Sequence, residues 1–131
     1  MATSLKNLID DIQLDMQGYT YRQDRATYLT QACTSGDLLL YVGSTDNIGK
    51  GIVEVEGELM WVDSYDKQAN TLTISPYGRG YNGTTAAAHA ANVQVIITPT
   101  YPRLAVKRAI NDTINSVFQK VYAVGKQTFT F

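Results

Sequence analysis

Nucleophilic catalysis needs a nucleophile and a base within reach of each other, and a metal site needs several His, Cys or carboxylate ligands at short spacing. This chain holds a single histidine, His89, and a single cysteine, Cys33. No Ser/His/Asp or Cys/His pair stands at a recognisable spacing. His89 sits between Ala86-Ala87-Ala88 and Ala90-Ala91, a setting that predicts a loop-packing or hydrogen-bonding role. Cys33 cannot form an internal disulfide; it reads as a small core side chain of a protein assembled in a reducing compartment. Asp10, Asp11 and Asp15 bring carboxylates close together, but with no His or Cys beside them they read as a solvated helix face. The expectation is a protein that is not an enzyme and uses no cofactor or metal.

Gly78-x-Gly80-x-x-Gly83 has the spacing of a dinucleotide fingerprint. That fingerprint works only inside a βαβ unit, with a parallel strand before the glycines and a helix after them. Here strand-like segments flank the glycines on both sides, so turn chemistry is the better reading. Arg79 within this loop is expected to bond loop carbonyls or to pair with a carboxylate on a neighbour. Nine tyrosines against three phenylalanines supply contact area with a polar tip, which suits subunit interfaces, sugar-binding surfaces and strand margins alike.

Composition sets the outer limits. A chain of 131 residues is one domain, or a small domain with an insertion, and it is long enough to bury a core. With 44% hydrophobic and 18% charged residues it reads as globular. A net charge of −1 gives no electrostatic case for nonspecific binding to DNA or membranes. No apolar run is long enough to span a bilayer, and no basic-then-apolar signal pattern opens the sequence, so a soluble protein not exported by a signal peptide is expected.

The elements that must position these residues follow from periodicity. Leu5, Leu8, Ile9, Ile12 and Met16 form one stripe at helical period, with Thr3 or Ser4 as cap and Gly18 as stop, predicting a helix over 3–17. The stretch 19–25 is ambiguous between loop and helical turn. Thr27–Cys33, Leu38–Val42, Ile52–Glu56, Leu59–Asp63, Thr71–Ser75 and Val93–Ile97 read as short strands separated by turn residues. Gly57-Glu58 suggests a two-residue hairpin turn, with Val53 and Val55 facing inward and Glu54 and Glu56 facing solvent. Such strands imply a small antiparallel barrel or sandwich. After Thr100-Tyr101-Pro102 the helical period returns: Val106 or Ala109, Ile110, Ile114, Val117, Phe118 and Val121 form a stripe in a helix over 102–123, with Gly125 as stop. The fold class is therefore α+β: an N-terminal helix and a long C-terminal helix flank an inserted small β-barrel or sandwich, followed by an extended C-terminal tail. Residues 1–25 and 99–124 make a helical body, 26–98 the β module and 125–131 the tail. Neither helix can hide its stripe alone. In the tail, Phe129 and Phe131 alternate with Thr128 and Thr130, and an exposed Phe-x-Phe end must dock, either by folding back on its own chain or by adding a strand to a partner's sheet edge, the partner being favoured.

The order of strands around Arg79-Gly80-Tyr81-Asn82-Gly83-Thr84-Thr85-Ala86-Ala87-Ala88-His89 resembles a small β module found in tailed-bacteriophage virion proteins, over residues 26–98. Helix, β insertion, long helix and tail together resemble the head–tail connector (adaptor, or neck) family. That resemblance implies a structural virion protein at the head–tail interface, assembled in the host cytoplasm. It implies a homo-oligomeric ring, usually dodecameric, that binds the portal protein and the next neck or tail component. Genomic DNA would pass through the channel without sequence-specific binding, and no membrane is involved. Leu5, Leu8, Ile9, Ile12, Ile110, Ile114, Val117 and Phe118 are the implied subunit-interface candidates. Lys126, Gln127, Thr128, Phe129, Thr130 and Phe131 are the implied portal anchor. The alternative is a tail-fibre or baseplate component that binds host cell-surface carbohydrate through the tyrosine-rich β surface.

Overall fold

A computed structural model describes residues 3–18 and 23–128, with side chains through Lys120. Helix α1 spans Leu5–Gly18 and helix α2 spans Arg103–Thr128. Between them lie strands β1 (Arg25–Tyr28), β2 (Leu39–Tyr41), β3 (Gly51–Val55), β4 (Glu58–Asp66), β5 (Thr71–Ile74) and β6 (Gln94–Ile97). Ser4 caps α1, its hydroxyl accepting from the Asn7 N–H at 3.2 Å. Of the ambiguous stretch, residues 19–22 lie outside the described residues, and β1 begins at Arg25.

The six strands form one curled antiparallel sheet in the order β1-β6-β3-β4-β5-β2. The expected sandwich is not formed. The sheet curls far enough for its two edge strands to meet, through a bridge between Leu29 and Val42. Gly43 donates to the Tyr28 carbonyl and Thr30 to the Tyr41 carbonyl, both at 2.9 Å, so neither edge is left fully open there. Inside the curl, Leu29, Leu40, Val53, Val55, Met60, Val62, Leu72, Ile74 and Val95 are buried, with Cys33 among them as a core side chain.

The β3–β4 hairpin turns one residue earlier than its sequence suggests. Val55 pairs with Glu58, so the turn residues are Glu56 and Gly57. Both have positive φ, 50° and 93°, as a type I′ turn demands. The earlier turn makes Glu58 a strand residue, and alternation then puts its side chain on the same face as Met60 and Val62. Glu58 is aligned with Val55 on the inner face instead of standing in a solvated turn. Glu54, expected to face solvent, is buried as well. It is aligned with Leu59 and Ile96 on the outer face, and the start of α2 covers it there.

The helices attach to that outer face at one junction. The Glu54 carboxylate accepts the Arg103 N–H at 3.0 Å and so satisfies one of the free donors at the start of α2. The Arg103 guanidinium bonds Asp10 and Gln13 of α1, and Gln13 in turn donates to the Tyr101 carbonyl at 2.7 Å. Asp10 is thus a pairing residue, while Asp11 and Asp15 are exposed as expected. Asp24 accepts from both the N–H and the hydroxyl of Thr100, tying together the chain segments that enter and leave the sheet.

Helix α2 departs from expectation at its far end. It runs through Gly125 to Thr128, so residues 125–128 are helical and not the start of an extended tail. One glycine costs a helix about 1 kcal/mol, and this one is carried within a 26-residue element. Phe129, Thr130 and Phe131 lie outside the described residues.

Helix α1 has one buried residue, Ile9, and its polar hold on the molecule includes the Arg103 guanidinium on Asp10 and Gln13, Gln13 on the Tyr101 carbonyl and Gln17 on Asp24. Replacing Arg103 with Ala should therefore release α1 before the sheet. Amide hydrogen exchange in α1 should rise about tenfold while amides of β3–β5 keep their protection. Equal acceleration in the sheet would show that α1 docking and sheet stability are one unit.

Candidate functional site

The loop 75–93 joins β5 to β6 by wrapping around the carboxylate of Glu58. Its backbone reverses at Gly80, where φ is 58°, and passes through the short 3₁₀ turn Tyr81–Gly83 with Asn82 also left-handed at 56°. A side chain on Gly80 would stand 2.8 Å from the Thr84 carbonyl oxygen. Small residues are required because the loop must turn its amides inward at short range.

Five donors converge on Glu58. Its Oε1 accepts from Arg79 Nε at 2.8 Å and from the Gly80 N–H at 3.0 Å. Its Oε2 lies 3.1 Å from Arg79 Nη2, 3.0 Å from the Ala87 N–H and 2.8 Å from His89 Nε2. The Glu58 side chain is 1% exposed and Arg79 7%, so this is a desolvated bidentate pair. Arg79 spends its other hydrogens on the carbonyls of Thr34, Asp37 and Ala87. His89 places Nδ1 2.9 Å from Glu56 and exchanges both backbone hydrogen bonds with Cys33. Each His89 ring nitrogen thus has a carboxylate partner.

Burial by itself would raise the Glu58 pKa. The Arg79 guanidinium, the Ala87 N–H, His89 and the Gly80 N–H outweigh it and hold the group at about 2. Glu54 presents the opposite case. Burial raises its pKa, with the Arg103 N–H and charge opposing, and its Oε1 is buried without a hydrogen-bond partner.

A buried Glu–Arg–His cluster resembles catalytic machinery, but this one is closed on itself. Each Glu58 oxygen already accepts two or three hydrogen bonds, and both His89 nitrogens are committed. That leaves no polar atom of the cluster free for a reacting group. A cleft of about 340 Å³ lies beside it, lined by Glu56, Thr84, His89, Arg103 and Lys107. Among the described residues no group of three or more His, Cys, Asp or Glu is placed to hold a metal ion. The glycine spacing is turn chemistry as read, since every strand pair in the sheet is antiparallel. His89 is the hydrogen-bonding loop residue expected, and Arg79 pairs with a carboxylate of its own chain. The role of Glu58 escapes a linear reading because its sequence context is a polar turn. The available signal was Arg79 itself: an arginine inside a loop of small residues needs an acid from elsewhere.

The other candidate surface is helical. The structure brings Ile9 of α1 against Val106 and Ile110 of α2, with Ile12 and Tyr101 beside them. Ile9 and Ile110, expected at a subunit interface, are instead spent inside the chain, because they are what docks one helix on the other. Leu5, Leu8, Ile114, Val117 and Phe118 remain exposed. Between the helices runs an apolar groove of about 530 Å³, walled by Leu8, Ile12 and Met16 on one side and Ala105, Ala109 and Thr113 on the other. The helical backbone reaches Lys126, Gln127 and Thr128. Among the described residues no helix is long and apolar enough to cross a membrane. No protein-family model matches the chain, and no curated protein matches it in sequence.

Two outcomes follow from the cluster. Glu58 has a folded pKa below the ordinary 4.5, so its contribution to stability is fully present above pH 4.5 and is lost as pH falls toward 2. Glu58→Gln should therefore lower stability at pH 7 by about 3–5 kcal/mol, leaving Arg79 buried and unpaired, and should flatten the acid limb of a urea-unfolding series from pH 7 to 3. Glu54 has the reverse sign: its raised pKa makes ionisation costly, so its penalty grows as pH rises through the folded value. Glu54→Gln should be neutral or stabilising at pH 7, by up to about 1 kcal/mol. A large loss in Glu54→Gln would show that the charge itself holds α2.

Proposed function

We propose that this chain is a structural subunit of a tailed-bacteriophage virion, acting as the head–tail adaptor that binds the portal as an oligomeric ring. One observation carries the reading. The polar cluster is sealed, whereas the helical surface is open: residues 111–120 of α2 are all exposed, Ile114, Val117 and Phe118 among them. A chain that closes its polar groups internally and leaves an apolar helix face bare is built for assembly. The resemblance of residues 26–98 to virion β modules supports the same reading. The residues that carry it, Arg79, Gly80, Ala87 and His89, are those that hold Glu58. The 26–98 segment then acts as an inserted small β-barrel, rigid and self-contained, borne on a helical body. Each subunit contributes one weak attachment through its C-terminal end, and many copies in a ring bind strongly by effective concentration. DNA passes through the ring without base-specific contact.

A second reading rests on the outer β surface. Trp61 and Tyr81 rings lie 5.5 Å apart at 43°, and Tyr77 is 93% exposed. Such aromatic faces stack on sugar rings, as a fibre or baseplate component binding host carbohydrate would require.

The test is the mass of the purified protein with and without the portal of the same virion. A ring, or a monomer that becomes one on the portal, is expected. A stable trimer indifferent to the portal, with glycan binding abolished in Trp61→Ala, would install the second reading instead. Deleting 126–131 should leave a folded chain that no longer joins the portal vertex; normal incorporation of the truncated chain would remove the anchor from the proposal.

A further inference from the structure

Helix α1 has 14 residues and α2 has 26. At about 1.5 Å per residue, α2 outruns its partner by roughly 18 Å. Besides the Arg103 contacts with Asp10 and Gln13, the two pack through Ile9, Val106 and Ile110 with Ile12 beside them. Beyond that contact α2 carries Val117 and Phe118 into solvent, 53% and 67% exposed. The groove beside the contact has the complementary shape. Ala105, Ala109 and Thr113 recur every fourth residue and make one low wall, against the taller Leu8, Ile12 and Met16.

Charge identifies the occupant. Helix α1 carries Asp10, Asp11 and Asp15 against Lys6 alone, whereas α2 carries Arg103, Lys107, Arg108, Lys120 and Lys126 against Asp112 alone. Packing α1 on α1 or α2 on α2 between copies would set like charges side by side. Packing the far half of one α2, with Lys120 and Lys126 against Asp112, beside another copy's α1 sets a net basic segment against the exposed Asp11 and Asp15. Resting on the assembly reading above, we infer that the α1–α2 groove of one subunit receives Val117 and Phe118 from α2 of a second copy. The contact is heterologous: the surface that inserts differs from the surface that receives, so one subunit can be donor and acceptor at once.

That asymmetry gives a decisive experiment by complementation, carried out without the portal. One full-length variant blocks the groove, Ala105→Lys with Ala109→Lys; both positions are exposed, and lysine is a good helix former. The other removes the inserting side chains, Val117→Ala with Phe118→Ala. Circular dichroism and melting check that each folds as the wild type. Wild type should self-associate in sedimentation, and each variant alone should remain a single chain. Their equimolar mixture should form two-chain particles and nothing larger, because one good knob meets one good groove and the series stops. A mixture that stays at single chains overturns the inference, as does either variant assembling like wild type. If the mixture fails and the groove-blocked variant also loses the portal, the groove belongs to a portal segment. Heterodimers from a chain that ignores the portal would leave this contact standing and sink the adaptor reading.

Discussion

The carboxylate of Glu58 is the constraint on which the rest of the molecule depends. It sits at 1% side-chain exposure and draws five donors from a loop that has no regular structure of its own beyond one 3₁₀ turn. Bringing a charge out of water costs several kcal/mol, so such a group persists only if its partners are arranged in advance and every lone pair is used. Here the backbone amides of Gly80 and Ala87 are two of those partners, which fixes the path of the loop as well as the charge. Arg79 extends the constraint to the Thr34 and Asp37 carbonyls before β2, and His89 extends it to Cys33 and the hairpin tip. One carboxylate therefore ties together three segments far apart in sequence.

The hairpin tip is where the constraint begins. Glu56 occupies a left-handed conformation that costs a non-glycine residue about 1–2 kcal/mol, and its carboxylate is bonded to His89. The turn sets the register, the register turns Glu58 inward, and Glu58 organises the loop. The same alternation places Glu54 on the opposite face, where it receives the first amide of α2. A single strand pair thus presents one carboxylate to the loop and another to the helices. The helical body is aligned on the sheet through the same hairpin that orders the loop.

These two attachments differ in strength. The loop cluster is saturated with hydrogen bonds, whereas the helical junction leaves one oxygen of Glu54 unpaired and rests on the Arg103 fork and a three-residue apolar contact. The sheet is accordingly the more firmly held part and the helices the less. That division is what the proposed assembly would ask of a subunit.

How much of this was legible in the chain can be judged element by element. The periodic stripes beginning at Leu5 and Val106, the cap at Ser4, the stop at Gly18 and the strand segments around β3, β4, β5 and β6 follow from local spacing, because each element's burial pattern is written in consecutive residues. A lone histidine and a lone cysteine with no catalytic spacing between them read as a packed loop residue and a core thiol, which is where His89 and Cys33 lie. What local spacing could not decide was the placement of the turn. Placing it at Glu56-Gly57 instead of Gly57-Glu58 shifts the pairing by two residues, leaves Met60 and Val62 on the inner face, and moves Glu58 out of the turn into the strand on that same face; both choices offer a glycine. Whether Ile9 and Ile110 met each other or a neighbour, and whether Gly125 ended α2, were likewise settled by tertiary contacts and helix length. The sequence by itself determined the kinds of element and the scarcity of reactive groups. The tertiary structure alone decided that Glu58 turns inward, since burial of a charge depends on partners that only folding brings within 3 Å.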